Sequence, residues 1–147
     1  MSDMSEQGKS ILAELLAAAR SKVPLEIISV VDRGVPNHER VNLRVNSRVL
    51  LGEYFIYAGI SLPNDRALPL ANVSLWLGED TIDAGSWVVI YTGPGESKLT
   101  TQMKDTKEPV IVLHWNYPTT IFQGQTIVPV LIKIDKNSVQ IGRPGSP

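Results

Sequence analysis

The sequence predicts an all-β protein, an antiparallel sandwich or barrel of short strands that follows one amphipathic helix. Roughly seven to nine apolar stretches follow Pro24, and Gly, Pro, Asn or Asp residues punctuate them every ten or so positions, as in β-sandwiches. Several stretches alternate apolar and polar residues, which is the pattern of a half-buried strand. The strand–helix alternation that a parallel sheet requires is not present in the sequence.

The composition indicates one globular domain and excludes several kinds of site. The chain has 147 residues, of which 43% are hydrophobic and 20% charged, and its formal net charge is −1. Cysteine is absent, which excludes disulfides, cysteine-type zinc sites and thiol nucleophiles, and only two histidines are present. We therefore expect no cofactor and no metal. The near-neutral charge makes nucleic acid an improbable partner.

The N-terminal region, residues 1–22, is predicted to be a helical appendage. Ile11, Leu12, Leu15, Leu16 and Ala19 recur at helical spacing and form one apolar stripe, and Pro24 ends the helix. The stripe could cover the chain's own β-domain, the arrangement we favour, or a second copy, because periodicity alone does not choose. The polar, acidic start and the lack of a spanning apolar run predict a cytoplasmic protein with no membrane partner.

Residues 23–142 are predicted to form the β-domain, and residues 143–147 a flexible tail. Gly52 is expected to make a bulge within one strand, residues 97–108 a long polar loop, and Pro129 an edge position. The predicted strands cover residues 25–31, 41–45, 48–57, 73–77, 87–91, 110–115, 126–134 and 138–141.

The segment 75–95 reads LWLGEDTIDAGSWVVIYTGPG and resembles part of a lamin-tail-type domain. The similarity lies in the Ala84-Gly85 turn and the bulky apolar strand 87–93. His114 and Trp115, followed by the strand 126–134, fall where such domains continue. The helix is not part of that family, and residues 39–42 replace its Glu-rich opening strand. The resemblance implies an immunoglobulin-like sandwich that serves as a scaffold, and it transfers no catalytic residue.

His114 is the best candidate for catalysis. It lies near the end of the predicted strand 110–115, and Asn116 and Tyr117 follow that strand, so it could act as a general base or ligand beside a polar loop. No second His, Cys or carboxylate stands at matching spacing, which favours a histidine that only fills a structural position. We therefore expect no enzyme.

Two further motifs favour turns over ligand sites. Glu79, Asp80 and Asp83 could offer oxygen ligands to Ca²⁺, but their spacing matches no EF-hand, so a solvated turn is the favoured interpretation. The Gly93-Pro94-Gly95 segment lacks the lysine and the following helix of a phosphate-binding loop.

Arg40, Arg44 and Arg48 have even spacing and would share one face of an unbroken strand. That face could contact an anion. The alternative is an ordinary solvent face on which the arginines pair with carboxylates such as Glu39 and Glu53.

The aromatic residues suggest a partner surface. Trp76 is out of phase with Val73, Leu75 and Leu77, so it should lie on the opposite face of its strand. We expect a non-enzymatic protein-interaction or assembly module that forms homodimers; the alternative is a small-ligand or carbohydrate-binding domain that uses exposed Trp and Tyr. The candidate binding residues are Trp76, His114, Trp115, Tyr117, Arg40, Arg44 and Arg48.

Overall fold

A computed structural model describes Ile11, Leu12, Leu15 and residues 23–102 and 105–145, and this part of the chain is predominantly β. Short 3₁₀ turns cover Leu51–Glu53 and Lys136–Ser138. The strands are β1 Leu25–Val31, β2 Arg40–Val45, β3 Val49–Leu50, β4 Tyr54–Leu62, β5 Arg66–Trp76, β6 Thr81–Ile82, β7 Trp87–Tyr91, β8 Lys98–Gln102, β9 Pro109–His114 and β10 Ile127–Lys133.

The strands form a five-stranded sheet in the order β1-β2-β7-β9-β8, a three-stranded sheet in the order β10-β4-β5, and a small β3-β6 pair. Neighbouring strands are antiparallel as predicted, with one exception. Strands β7 and β9 are parallel, with Trp87 opposite Val110 and Tyr91 opposite His114. The connection between two parallel strands must cross over, and here that crossover contains β8 rather than a helix.

The two larger sheets share one hydrophobic core. Strand β2 buries Val41, Leu43 and Val45 and turns its intervening polar residues outward. From the three-stranded sheet, Ile56 and Ala58 of β4 are equally buried. Side chains of both sheets belong to a single cluster of contacts. For β2, the period-2 pattern of the sequence correctly identifies the inward face.

The predicted N-terminal helix lies outside the described residues, apart from Ile11, Leu12 and Leu15. These three residues have helical backbone, and their side chains are 57%, 56% and 61% exposed. The described residues contain no helix of seven or more residues. The described part of the apolar stripe is therefore largely exposed.

Four predicted elements differ from the structure. The predicted strand 73–77 covers only the last part of β5, which begins at Arg66. The stretch 48–57 is not one strand, because the turn Leu51–Glu53 interrupts it and contains Gly52. The predicted polar loop 97–108 contains β8, whose pairing with β9 sequence periodicity does not reveal. The predicted strand 138–141 is wrong: Asp135 accepts a hydrogen bond from the backbone of Asn137 and caps a 3₁₀ turn instead.

Candidate functional site

The candidate residues fall on three separate surfaces and in the core. Arg40, Arg44 and His114 lie on the outer face of the five-stranded sheet, Trp76 on the three-stranded sheet, and Tyr117 in a loop cleft. Trp115 is only 7% exposed and packs edge-to-face against Phe122, with ring centres 6.1 Å apart. The side chain of Trp115 is therefore part of the core and is not accessible to a partner.

Arg40 and Arg44 of β2 each lie opposite an aromatic residue of β7. Arg40 is opposite Tyr91, and its guanidinium carbon lies 5.9 Å from the centre of that ring. Arg44 is opposite Trp87, at the shorter distance of 4.8 Å. Such cation–π contacts hold each guanidinium flat against the sheet.

Each of these arginines also pairs with a carboxylate. Arg40 Nη1 lies 2.9 Å from Asp32 Oδ2, and Arg44 Nη2 lies 2.6 Å from Glu108 Oε2. The hydrogen bond from Arg44 holds the pKa of Glu108 below its usual value, and a hydrogen bond from Thr106 acts in the same direction. Because both cations are neutralised locally, neither Arg40 nor Arg44 offers the free positive charge that an anion site requires.

Arg48 is not on that face. Strand β2 ends at Val45, and Arg48 reaches Asp83 at 3.7 Å with both side chains largely exposed. The predicted carboxylate partners also differ, since Glu53 pairs with Lys133 and Glu39 is buried among backbone donors. The prediction that the three arginines share one face is therefore wrong, because the strand that would align them ends at Val45.

His114 fills a packing position. Its ring stacks on Tyr91 with the centres 5.4 Å apart, and its Nδ1 lies 3.4 Å from the carbonyl oxygen of Gly93. Gly95 lies so close to the other side of the ring that a Cβ there would overlap the imidazole. The glycine at position 95 thus lets the 93–95 turn wrap around His114, and the histidine serves to hold that turn.

Trp76 belongs to an exposed apolar row that crosses the three-stranded sheet. Ile132 of β10 is opposite Phe55 of β4, which in turn is opposite Trp76 of β5. Directly opposed residues point to the same side of a sheet, and these three are 44%, 38% and 44% exposed. The Trp76 indole is held in place because its Nε1 donates to the carbonyl oxygen of Gly52 at 2.9 Å.

The following rows on this side are also largely apolar. Val130 is opposite Tyr57, and Val128 is opposite Gly59. The Tyr57 ring lies 3.3 Å from the position that a Cβ atom at Gly59 would occupy, so the ring covers the glycine. Ser74, opposite Tyr57, is the polar member. We call this surface the outer apolar face; it consists of Phe55, Tyr57, Trp76, Val128, Val130 and Ile132.

Both edges of the same sheet carry a proline that faces away from it. The amide of Ser61 donates to the oxygen of Thr126. Every second residue of β10, counted from Thr126, therefore has its backbone hydrogen bonds directed to β4. Pro129 is not one of these residues, so its backbone nitrogen faces outward. The amide of Leu77 donates to the oxygen of Tyr54, so the backbone of Gly59 turns away from β5. Its partner Pro69 in β5 therefore turns away from β4 and faces outward. The predicted edge position of Pro129 is confirmed by the strand order.

Three loops meet at a cleft of about 320 Å³, which is lined by Tyr117. The buried carboxylate of Glu39 joins these loops: it accepts hydrogen bonds from the amides of Gly34 at 2.7 Å, Ile121 at 2.6 Å and Phe122 at 3.1 Å. It also accepts from the Thr92 hydroxyl at 2.8 Å. One side chain thus fixes the relative positions of the three segments.

Phe55, Ile132 and Glu39 are site residues that the sequence analysis missed. Phe55 lies within the run Tyr54-Phe55-Ile56-Tyr57, in which every residue is apolar or aromatic, so no alternation marks the outward side chains. Ile132 is brought next to Phe55 only by the β10–β4 register. The signal for Glu39 would have been its place directly before β2, whose second residue, Val41, is buried. This signal is weak because surface loops often contain glutamate.

The acidic residues Glu79, Asp80 and Asp83 show no metal-binding geometry. Within residues 23–102 and 105–145, and at the three described N-terminal positions, no three His, Asp or Glu side chains are grouped closely enough to hold a metal ion. Asp83 instead pairs with Arg48.

No family model, curated protein or solved structure matches this chain. In the part of the chain that the structure describes, no helix has the length and apolar character needed to cross a bilayer.

Proposed function

We propose that this chain is a non-enzymatic assembly module, an immunoglobulin-like β-sandwich that binds a second copy of itself through the outer apolar face. The observation that supports this proposal is the exposed row of Ile132, Phe55 and Trp76. Contiguous apolar patches on a folded domain mark interaction sites more often than scattered apolar residues do. Aromatic anchors, tryptophan above all, supply much of the energy of protein interfaces.

A second copy is the partner that fits this face best. The face carries no charged side chain among its six members, so it meets itself without like-charge repulsion. In a two-fold dimer the same patch serves both subunits. A stable interface buries about 1,200 Å² or more in total, so Tyr57, Val128 and Val130 would take part beside the central row.

The case against an enzyme rests on His114. Its imidazole is packed between Tyr91 and the 93–95 turn, and a general base needs access to a substrate proton. A histidine in this position stabilises the 93–95 turn at the end of β7, which is a structural role compatible with a scaffold.

The assembly proposal is tested by placing a charge on the apolar face. We expect the wild-type chain to sediment as a dimer at high micromolar concentration and Phe55→Arg to sediment as a monomer, because each subunit would bury the new charge against apolar side chains. Thermal unfolding of the variant should remain cooperative, since Phe55 is an exposed strand residue. Sedimentation equilibrium measures the mass.

The matched control is Leu68→Arg. Leu68 lies on the same sheet and is 54% exposed, but it is opposite Ile60 and outside the outer apolar face. The control should keep the wild-type mass. A wild-type chain that is monomeric throughout, or a control that dissociates as readily as Phe55→Arg, would refute the proposal.

A further inference from the structure

The cleft between the loops has the size and chemistry of a ligand site. Its volume of about 320 Å³ lies at the lower end of the range for small-molecule sites, about 300–1,000 Å³. We propose that it binds a neutral carbohydrate of one or two sugar rings. The cleft contains no residue of the outer apolar face, so this binding would be independent of assembly.

The lining favours an uncharged ligand with many hydroxyl groups. None of the lining residues is acidic or basic, so an ion would lose water without gaining an opposite charge. The polar side chains at the opening are amides and hydroxyls. Apolar walls come from three prolines. The polar side chains are those of Asn37, Thr119, Thr120 and Gln123. The prolines are Pro36, Pro94 and Pro118.

The two amides are the hydrogen-bonding groups of this site. Thr120 Oγ1 donates to Gln123 Oε1 at 3.1 Å, which orients the glutamine amide and leaves both hydrogens of its Nε2 to donate. No hydrogen bond between described residues uses the side-chain amide of Asn37. An amide both donates and accepts, and so does each hydroxyl of a sugar, so neighbouring ring hydroxyls can satisfy one amide at both ends.

Tyr117 supplies the apolar component. Its ring is half-buried and lines the cleft, and its backbone amide donates to the oxygen of Thr92 at 2.9 Å. The C–H face of a sugar ring packs on an aromatic ring, while the polar end of tyrosine stays hydrated.

The cleft is also held in shape before any ligand arrives. Glu39 ties the loop of Gly34 to the loops of Thr92 and Ile121 through its carboxylate. Asn37 has a φ of 65°, a left-handed conformation that asparagine tolerates, and Gly93 approaches it closely. Less conformational entropy is lost when a ligand binds such a preformed site.

The test is a titration of the full chain with the methyl glycosides of glucose, galactose and N-acetylglucosamine, followed by two-dimensional ¹H–¹⁵N NMR. At least one sugar should shift the amide signals of Gly93, Tyr117 and Gln123 in a saturable manner. Gln123→Ala and Asn37→Gly should each weaken that binding by about fivefold or more, as expected for the loss of neutral hydrogen bonds.

Asn64→Gly is the matched control. Asn64 has a φ of 63° in the turn between β4 and β5, so the same replacement is made at another left-handed asparagine away from the cleft. It should leave the affinity unchanged, and Gln123→Ala tests the site even if Asn37→Gly does not fold. The same titration is run with glucose 6-phosphate, glucosamine and a proline-rich peptide. The proposal is overturned if no neutral sugar shifts these signals, if only one of these three other compounds does, or if Asn64→Gly weakens binding equally.

Discussion

At the scale of single residues, Glu39 shows how a charged side chain is kept inside a β-domain. It is 1% exposed, yet three backbone amides and one hydroxyl satisfy its carboxylate. A buried charge is tolerated only when hydrogen bonds replace its hydration. From the sequence, Glu39 is predicted to be a surface partner for arginine, because nothing near it in sequence reveals Ile121 and Phe122, which lie more than eighty positions away.

Replacing this carboxylate should destabilise the domain strongly. In Glu39→Gln, the NH₂ group points at amide donors and leaves them unsatisfied, so we expect the free energy of unfolding to fall by about 3 kcal/mol or more. Thr92→Val keeps the shape and removes one hydroxyl donor, so it should cost about 1 kcal/mol. Urea unfolding compares the variants. A Glu39→Gln protein as stable as Thr92→Val would contradict this account.

At the scale of elements, the sequence predicts strands well where side chains alternate and poorly where pairing decides. Strands β1 and β7 have their predicted bounds. Strand β8 is missed because its sequence, KLTTQ, is mostly polar and it pairs only at the edge of its sheet. The parallel β7–β9 pair is equally hidden, since no helix intervenes to mark it. Trp76 is placed on the correct side of its strand, while its neighbours Phe55 and Ile132 depend on register.

The ion pair between Arg44 and Glu108 connects β2 to the segment before β9, across β7. It should make the free energy of unfolding depend on pH. Arg44 of β2 reaches over Trp87 to Glu108, just before β9. The pKa of Glu108 is lowered in the folded state, so the pair stabilises the fold above the unfolded-state pKa, and that contribution is lost as the pH falls through the folded-state pKa. Glu108→Gln should therefore lower stability at neutral pH and leave it unchanged at strongly acidic pH.

Urea unfolding of the wild type and of Glu108→Gln, from neutral to strongly acidic pH, measures this difference in stability. The control is Glu79→Gln, an exposed carboxylate in the connection between β5 and β6, which should change stability little at any pH. A difference between wild type and Glu108→Gln that persists at the acidic end would show that the substitution acts through packing rather than charge.

At the scale of the whole molecule, the hydrophobic core that the structure describes is built from residues of the β-domain. The described core residues extend from Leu25 to Phe122, and both large sheets contribute to them. The described stripe residues, Ile11, Leu12 and Leu15, are exposed instead. We therefore expect that the β-domain folds by itself, as its sequence predicts.

Deletion of residues 1–22 tests this expectation. The shortened chain should keep its β-type circular dichroism and unfold in one cooperative transition, with a melting temperature within a few degrees of the full chain, because all core residues that the structure describes are retained. A broad transition without cooperativity would mean that the helical stripe forms a wall of the core.

The outward prolines at positions 69 and 129 set a limit on how copies of this chain can join. Fibrils grow when the free edge of one sheet supplies amide hydrogens to the next chain, over and over. At Pro69 and Pro129 that hydrogen is missing on both sides of the three-stranded sheet. Two copies that meet face to face, as proposed above, would instead cover the surface that joins them, so growth would stop at a finite particle.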